Sequence, residues 1–162
     1  MEIARGLAKV NDVEKTIEQL REIGAATGCL VQAFDARYIA GDRHLETAAR
    51  LAERERSRDE GIVDDPALEW LLYVAATRQL DRAMELGLPQ GEHDVVLACL
   101  GGDETVAIER AIEAVGLEET EIEPDEGRLT EWFDITDAER AATTASLESL
   151  VCERVALLVV ER

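Results

Sequence analysis

Asp94-Val95-Val96-Leu97-Ala98-Cys99-Leu100 runs six apolar residues without a break and is followed at once by Gly101-Gly102-Asp103-Glu104. An uninterrupted apolar run of that length, with a polar start and a Gly-Gly turn behind it, predicts a buried strand. Asp103 is a helix-capping residue type, and Val106, Ile108, Ala111, Ile112 and Val115 then recur at helical spacing. A strand that passes directly into an amphipathic helix is the signature of an α/β chain.

The same alternation extends in both directions. Met1 to Val10 reads as a strand, Asn11 is placed to cap the next helix, and Val13, Ile17, Leu20 and Ile23 mark that helix's apolar face. Gly24 and Gly28 close it before a second strand, Cys29 to Phe34. Asp42 to Arg58 predicts a helix with Leu45, Ala48, Ala49 and Ala52 on one side. Asp65-Pro66 pairs a cap with proline at the first helical position. From Ala67 to Leu86 the pattern is helical with a joint at Ala75-Ala76-Thr77, and Gly87 and Pro89 stop it. Downstream, Leu117 to Glu123 predicts an edge strand, Asp137 to about Glu153 a helix, and Val155 to Val160 a final apolar strand. The expectation is one α/β domain over residues 1–162, a mixed central sheet of four or five strands covered by helices.

With 162 residues, 46% of them apolar, the chain can bury a core despite a net charge of −19. No apolar run approaches a membrane span of about 18 residues, and the start lacks the layout of a signal peptide. Three cysteines (29, 99 and 152), far apart, fit neither a disulfide framework nor a zinc site. A cytoplasmic protein is therefore expected, with no cofactor and no metal. Only Lys9 and Lys15 are lysines among 17 cations. A scattered acidic surface nearly free of lysine suits a halophilic cytoplasm, where dense charge keeps a protein hydrated under strong screening. The rival reading is an acidic surface for a basic partner.

Catalytic patterns are sparse: there is no phosphate-loop motif, no dinucleotide fingerprint and no paired histidine ligands. Gly101-Gly102-Asp103-Glu104 is read as a strand-to-helix turn, and its acids would repel phosphate. Against the acidic background, Arg37 to Arg58 holds six arginines and four acids, a net +2. On a helix Arg43, Arg50, Arg54 and Arg58 share the side opposite the alanine face. Such a stripe is either a solvated face supported by Glu–Arg pairs or a surface for RNA, since arginine contacts phosphates and stacks on bases.

Three stretches carry a resemblance. Phe34-Asp35-Ala36-Arg37-Tyr38-Ile39-Ala40 leads through Arg43-His44-Leu45 into the helix of Ala48 to Ala52. Ala75-Ala76-Thr77-Arg78-Gln79-Leu80 forms the helical joint, and near the end a helix runs into Glu153-Arg154-Val155-Ala156-Leu157-Leu158-Val159. In this order and over essentially the whole chain they resemble the TPRKB-type subunit of the KEOPS complex. Ala76-Thr77 departs from the Ser-Gly usual in that family's joint. The resemblance implies a non-catalytic subunit without cofactor or membrane contact. Its partners would be the atypical PRPK-type kinase/ATPase subunit and the single-stranded 3′ CCA tail of tRNA. The complex makes threonylcarbamoyladenosine beside the anticodon.

Carried over by position, Arg43 and His44 match the basic-His pair and Arg78 and Gln79 the Arg-Gln of the joint. With Arg50 and Arg54 of the stripe they are the candidate RNA contacts. The competing reading of Arg78-Gln79, weighed below RNA recognition, is an interhelical joint that bonds the open carbonyls of the preceding helix. The kinase surface is expected as an apolar helical patch among Leu68, Leu71, Leu72, Leu80, Leu147 and Leu150. The alternative is an acidic α/β interaction module that never meets RNA.

Overall fold

Strand β1 (Glu2–Val10) and strand β3 (Gly91–Leu100) pair antiparallel along their whole length, Ala4 opposite Leu97 and Ala8 opposite His93. β2 (Leu30–Asp35) joins the other edge of β3, and the two-residue β4 (Glu118–Glu119) joins β1, giving the order β2-β3-β1-β4. The computed structural model describes residues 1–161. The chain divides into two compact units, Met1–Ala36 with Glu85–Glu123 and Arg37–Met84 with Pro124–Arg162.

The first unit is the sheet with helices α1 (Val13–Thr27) and α5 (Glu104–Val115). Each helix links two strands that run the same way but are separated by a strand of the other β-α-β unit. Interleaving two such units is the ferredoxin-like arrangement, and it makes every neighbouring pair antiparallel. The sheet is therefore not mixed as expected, and it has four strands. Ala4, Ala8, Val31, Ala33, Val95, Leu97 and Cys99 line its face toward Leu20 of α1 and Ala107, Ile108 and Ala111 of α5. Val96 and Ala98, on the other side of β3, are buried as well. Burial on both faces explains the unbroken apolar run. Gly6 is required at the sheet edge, because a Cβ there would collide with the Glu118 carbonyl of β4. Asp12, not Asn11, caps α1, accepting from Lys15 N at 3.1 Å, and Asp103 caps α5 as predicted.

The second unit is helical. Its helices are α2 (Asp42–Ser57), α3 (Pro66–Ala75), α4 (Leu80–Ala83), α6 (Glu126–Trp132), α7 (Asp137–Ala141) and α8 (Leu147–Val160). Helix α2 packs on α3 and α8, and α3 is buried from Glu69 to Ala75. Asp65 caps α3 ahead of Pro66, and the joint at Ala76-Thr77 separates α3 from α4, both as expected. The buried Glu69 carboxylate accepts the backbone N–H groups of Ile62 and Val63 and pins the loop before α3. Two expectations fail here. Val155 to Val160 is the end of α8, whose Leu150, Val151, Val155 and Leu158 are buried, and not a strand. Helix α6 was not anticipated, and residues 137–153 belong to two helices. Among the described residues no helix is long and apolar enough to cross a membrane.

Candidate nucleic-acid and partner interface

The exposed side of α2 is built by its buried side. His44, Leu45, Ala48, Ala49, Leu51, Ala52 and Glu55 turn inward, which leaves Arg43, Arg50, Arg54 and Arg58 facing solvent. The Arg54 guanidinium pairs with the buried Glu55 carboxylate at 3.2 Å, and Arg58 reaches the same oxygen at 4.0 Å. Arg43 donates to Ser149 Oγ at 3.3 Å. Arg50 is exposed and has no side-chain partner among the described residues. Three of the four stripe arginines thus have a side-chain partner, and Arg50 is the one left without among the described residues.

His44 does not belong to that surface. It is fully buried; its Nδ1 accepts the Ala40 N–H at 3.1 Å and its Nε2 donates to the Val74 carbonyl at 2.8 Å. Those partners fix the tautomer with the proton on Nε2. Burial holds its pKa down at about 4, the Val74 bond opposing the shift, so the ring is neutral at pH 7 and edge-on to Phe133. No base can reach it without unfolding the site, and His44 leaves the set of candidate RNA contacts.

The end of α3 shows why. A helix leaves its last four carbonyls without helical partners. Here Ala76 and Thr77 N–H groups take Leu72, Ala76 also takes Tyr73, His44 takes Val74, and Trp132 Nε1 donates to Ala75 at 3.0 Å. Arg78 is consequently not needed on the preceding helix. It donates instead to the Leu158 carbonyl at 2.9 Å, one of the open carbonyls at the end of α8. Arg78 and Gln79 are both exposed, and the Gln79 side chain projects from the N-cap of α4.

The charges of Arg78 and Arg54 both act on one group. The Tyr73 hydroxyl has its pKa raised, first by burial and then by the Glu69 carboxylate, and both Arg78 and Arg54 pull it back. Burial pushes the Cys99 thiol up to about 12 and also raises Cys152, so neither of these two is a thiolate nucleophile at neutral pH.

Two features were missed in the sequence. The first is the exposure of Met84, Leu157 and Val160, which together with Leu80 are the exposed large apolar residues among those described. Of the leucines expected to face a partner, Leu71, Leu72 and Leu150 are core, Leu68 and Leu147 are half-buried, and only Leu80 is exposed. The second is a cavity of about 280 Å³ lined by Tyr38, Arg82, Arg128, Glu131 and Trp132. Rarity was the available signal: the chain has two tryptophans, two tyrosines and two phenylalanines.

An α/β scaffold that presents arginines and unburied apolar side chains on one unit is equipped as a binding module. The family model for Kinase binding protein CGI-121 matches residues 7–158, and the chain belongs to that family. No curated protein matches it.

Proposed function

We propose that this chain is the non-catalytic, cytoplasmic subunit of a KEOPS-type complex for tRNA threonylcarbamoyladenosine synthesis, docking on the PRPK-type kinase/ATPase and holding the 3′ CCA tail of tRNA. The exposure of the large apolar residues Leu80, Met84, Leu157 and Val160, all on the helical unit of a member of a kinase-binding family, carries the kinase half of the reading. Apolar side chains left in water on a chain this charged are best explained by a partner that covers them. The RNA half is supported by Arg43, Arg50, Arg54, Arg78 and Gln79 standing exposed on the same unit.

A net charge of −19 sets how RNA would be held. In basic proteins phosphate contacts dominate and fade as salt rises. Here general repulsion opposes the tRNA body, so short-range stacking and base-edge bonds must supply the affinity, and salt screens the repulsion. Two measurements test the reading. Leu157→Asp and Met84→Asp, both at exposed positions, should weaken kinase co-elution at least about tenfold without lowering the melting temperature. Titrations with intact tRNA and tRNA lacking CCA, from low to molar KCl, should show dependence on the tail and a weak or inverted salt dependence. Unchanged co-elution and tail-independent binding would leave the acidic interaction module as the better reading.

A further inference from the structure

Four of the six aromatic side chains, Phe34, Trp70, Tyr73 and Phe133, are buried. The other two, Tyr38 and Trp132, are half-exposed and stand edge to face with ring centroids 5.3 Å apart, lining one cavity. Arginines rim it. The Arg82 guanidinium lies 4.4 Å from the Trp132 ring centroid, and Arg128 lies 5.5 Å from the Tyr38 centroid while donating to its hydroxyl at 3.3 Å. Glu131 adds the single carboxylate of the lining. We propose that the cavity of Tyr38, Arg82, Arg128, Glu131 and Trp132 is the pocket for one nucleobase of a single-stranded RNA, and that Glu131 selects a base carrying an exocyclic amine. This deepens the RNA half of the proposed function and rests on it.

Size, shape and charge agree. A volume near 280 Å³ falls just under the range of about 300–1,000 Å³ for drug-sized ligands and suits one planar unit. Aromatic faces and guanidinium planes are the surfaces on which unpaired bases stack. Two arginines repel cations and basic peptides, whereas the backbone phosphate beside a stacked base finds Arg128 or Arg82. The carboxylate of Glu131 can only accept hydrogen bonds when ionised, so it rewards the amino group of cytosine or adenine and repels the carbonyl edge of uracil. The other described cavity makes the contrast: Glu53, Asp59 and Asp64 surround Arg56 there, with no aromatic wall.

The site reports on itself. Trp70 is fully buried with its N–H bonded to the Leu45 carbonyl, so a base that enters the cavity changes the emission of Trp132. Titrating the full chain in molar KCl with pentamers of C, A or U should quench that emission with C and A, and bind them roughly fivefold or more tighter than U. Arg82→Ala, at an exposed position, should weaken C and A binding about tenfold. Glu131→Gln should narrow the gap between C and U, and Trp132→Phe should bind with little signal. No quenching, or an Arg82→Ala protein that binds like wild type, overturns the assignment. So does an Arg82→Ala protein that loses the kinase while no pentamer binds, which would give the cavity to a protein partner. If tRNA binds wild type and Arg82→Ala alike and still needs its tail, the pocket falls while the proposed function stands. If wild type binds neither tRNA nor pentamer, both fall.

Discussion

The two units spend the same alphabet differently. The sheet unit holds one of the six aromatic residues and five of the seventeen Lys and Arg; the helical unit holds the other five aromatics and the other twelve cations. Both remain net acidic, so the contrast is not one of overall sign. The sheet unit buries small and aliphatic side chains such as Ala4, Ala8, Val95 and Leu97 between strands and helices. Asp35 is the sheet unit's one buried charged residue among those described, whereas the helical unit buries several groups that need partners: His44, Glu55, Glu69, Trp70 and Tyr73. Aliphatic packing is indifferent to what lies outside it, whereas buried polar groups fix loops and helix ends in one arrangement. The lesson is that the aliphatic scaffold and the surface proposed for recognition fall in separate parts of the chain.

The strongest way to break that division is Leu97→Ala, a fully buried change at the centre of the sheet. It should remove about 2–5 kcal/mol of stability by urea unfolding. Kinase and tRNA binding measured below the transition should remain as in wild type. A binding loss out of proportion to the unfolded fraction would show that the sheet unit takes part in recognition.

The next tests the helical unit through pH. His44 has a folded pKa of about 4, below the 6.5 of an unconstrained imidazole. Between those values the unfolded chain takes up a proton that the folded chain refuses, so the contribution is complete above pH 6.5 and is lost as pH falls toward 4. The stability advantage of wild type over His44→Gln should shrink by about 3 kcal/mol from pH 7 to pH 4. Comparing the two proteins removes the many carboxylates common to both. A constant gap would mean that His44 titrates normally.

The smallest effect sharpens the comparison at the joint. Ala76 sits at φ 53, a left-handed conformation in which a Cβ is crowded. Ala76→Gly should raise stability by up to about 1 kcal/mol, read from the denaturation midpoint. A loss would show that the alanine methyl packs usefully against the cluster of Leu129, Phe133 and Leu150.

What could be read in the sequence follows the same division. Val95 to Leu100 and the helix from Asp103 were legible because one periodicity and one cap decide each. Val155 to Val160 was not: α8 carries apolar residues on its exposed side too, at Leu157 and Val160, and an unbroken β-branched apolar run of this length hides helical periodicity and reads as a strand. Strand direction was hidden because two β-α-β units interleave, which no local pattern announces. Arg43, Arg50 and Arg54 were placed outward correctly by helical phase. His44 was misjudged because its partners, Ala40 N–H and the Val74 carbonyl, belong to backbone that sequence pattern does not position. Tyr38, Arg82, Arg128 and Trp132 come together from three separate stretches, and spacing says nothing about such a meeting.

The segmentation of the chain also sets a timetable for synthesis. The sheet unit is interrupted after Ala36 and resumes at Glu85, so β2 waits for β3 while a 48-residue stretch of the other unit emerges. It is nevertheless complete in sequence at Glu123, before any residue of α6 or α8 has been made. During that interval α2 and α3 lack α8, and the carbonyl of Ala75 lacks the Trp132 N–H that later closes it. A nascent chain in that state presents unfinished apolar helices beside a finished sheet, the condition in which newly made proteins are most prone to associate wrongly. The heavy negative charge carried by the finished unit is well placed to keep such chains apart until the last helix arrives.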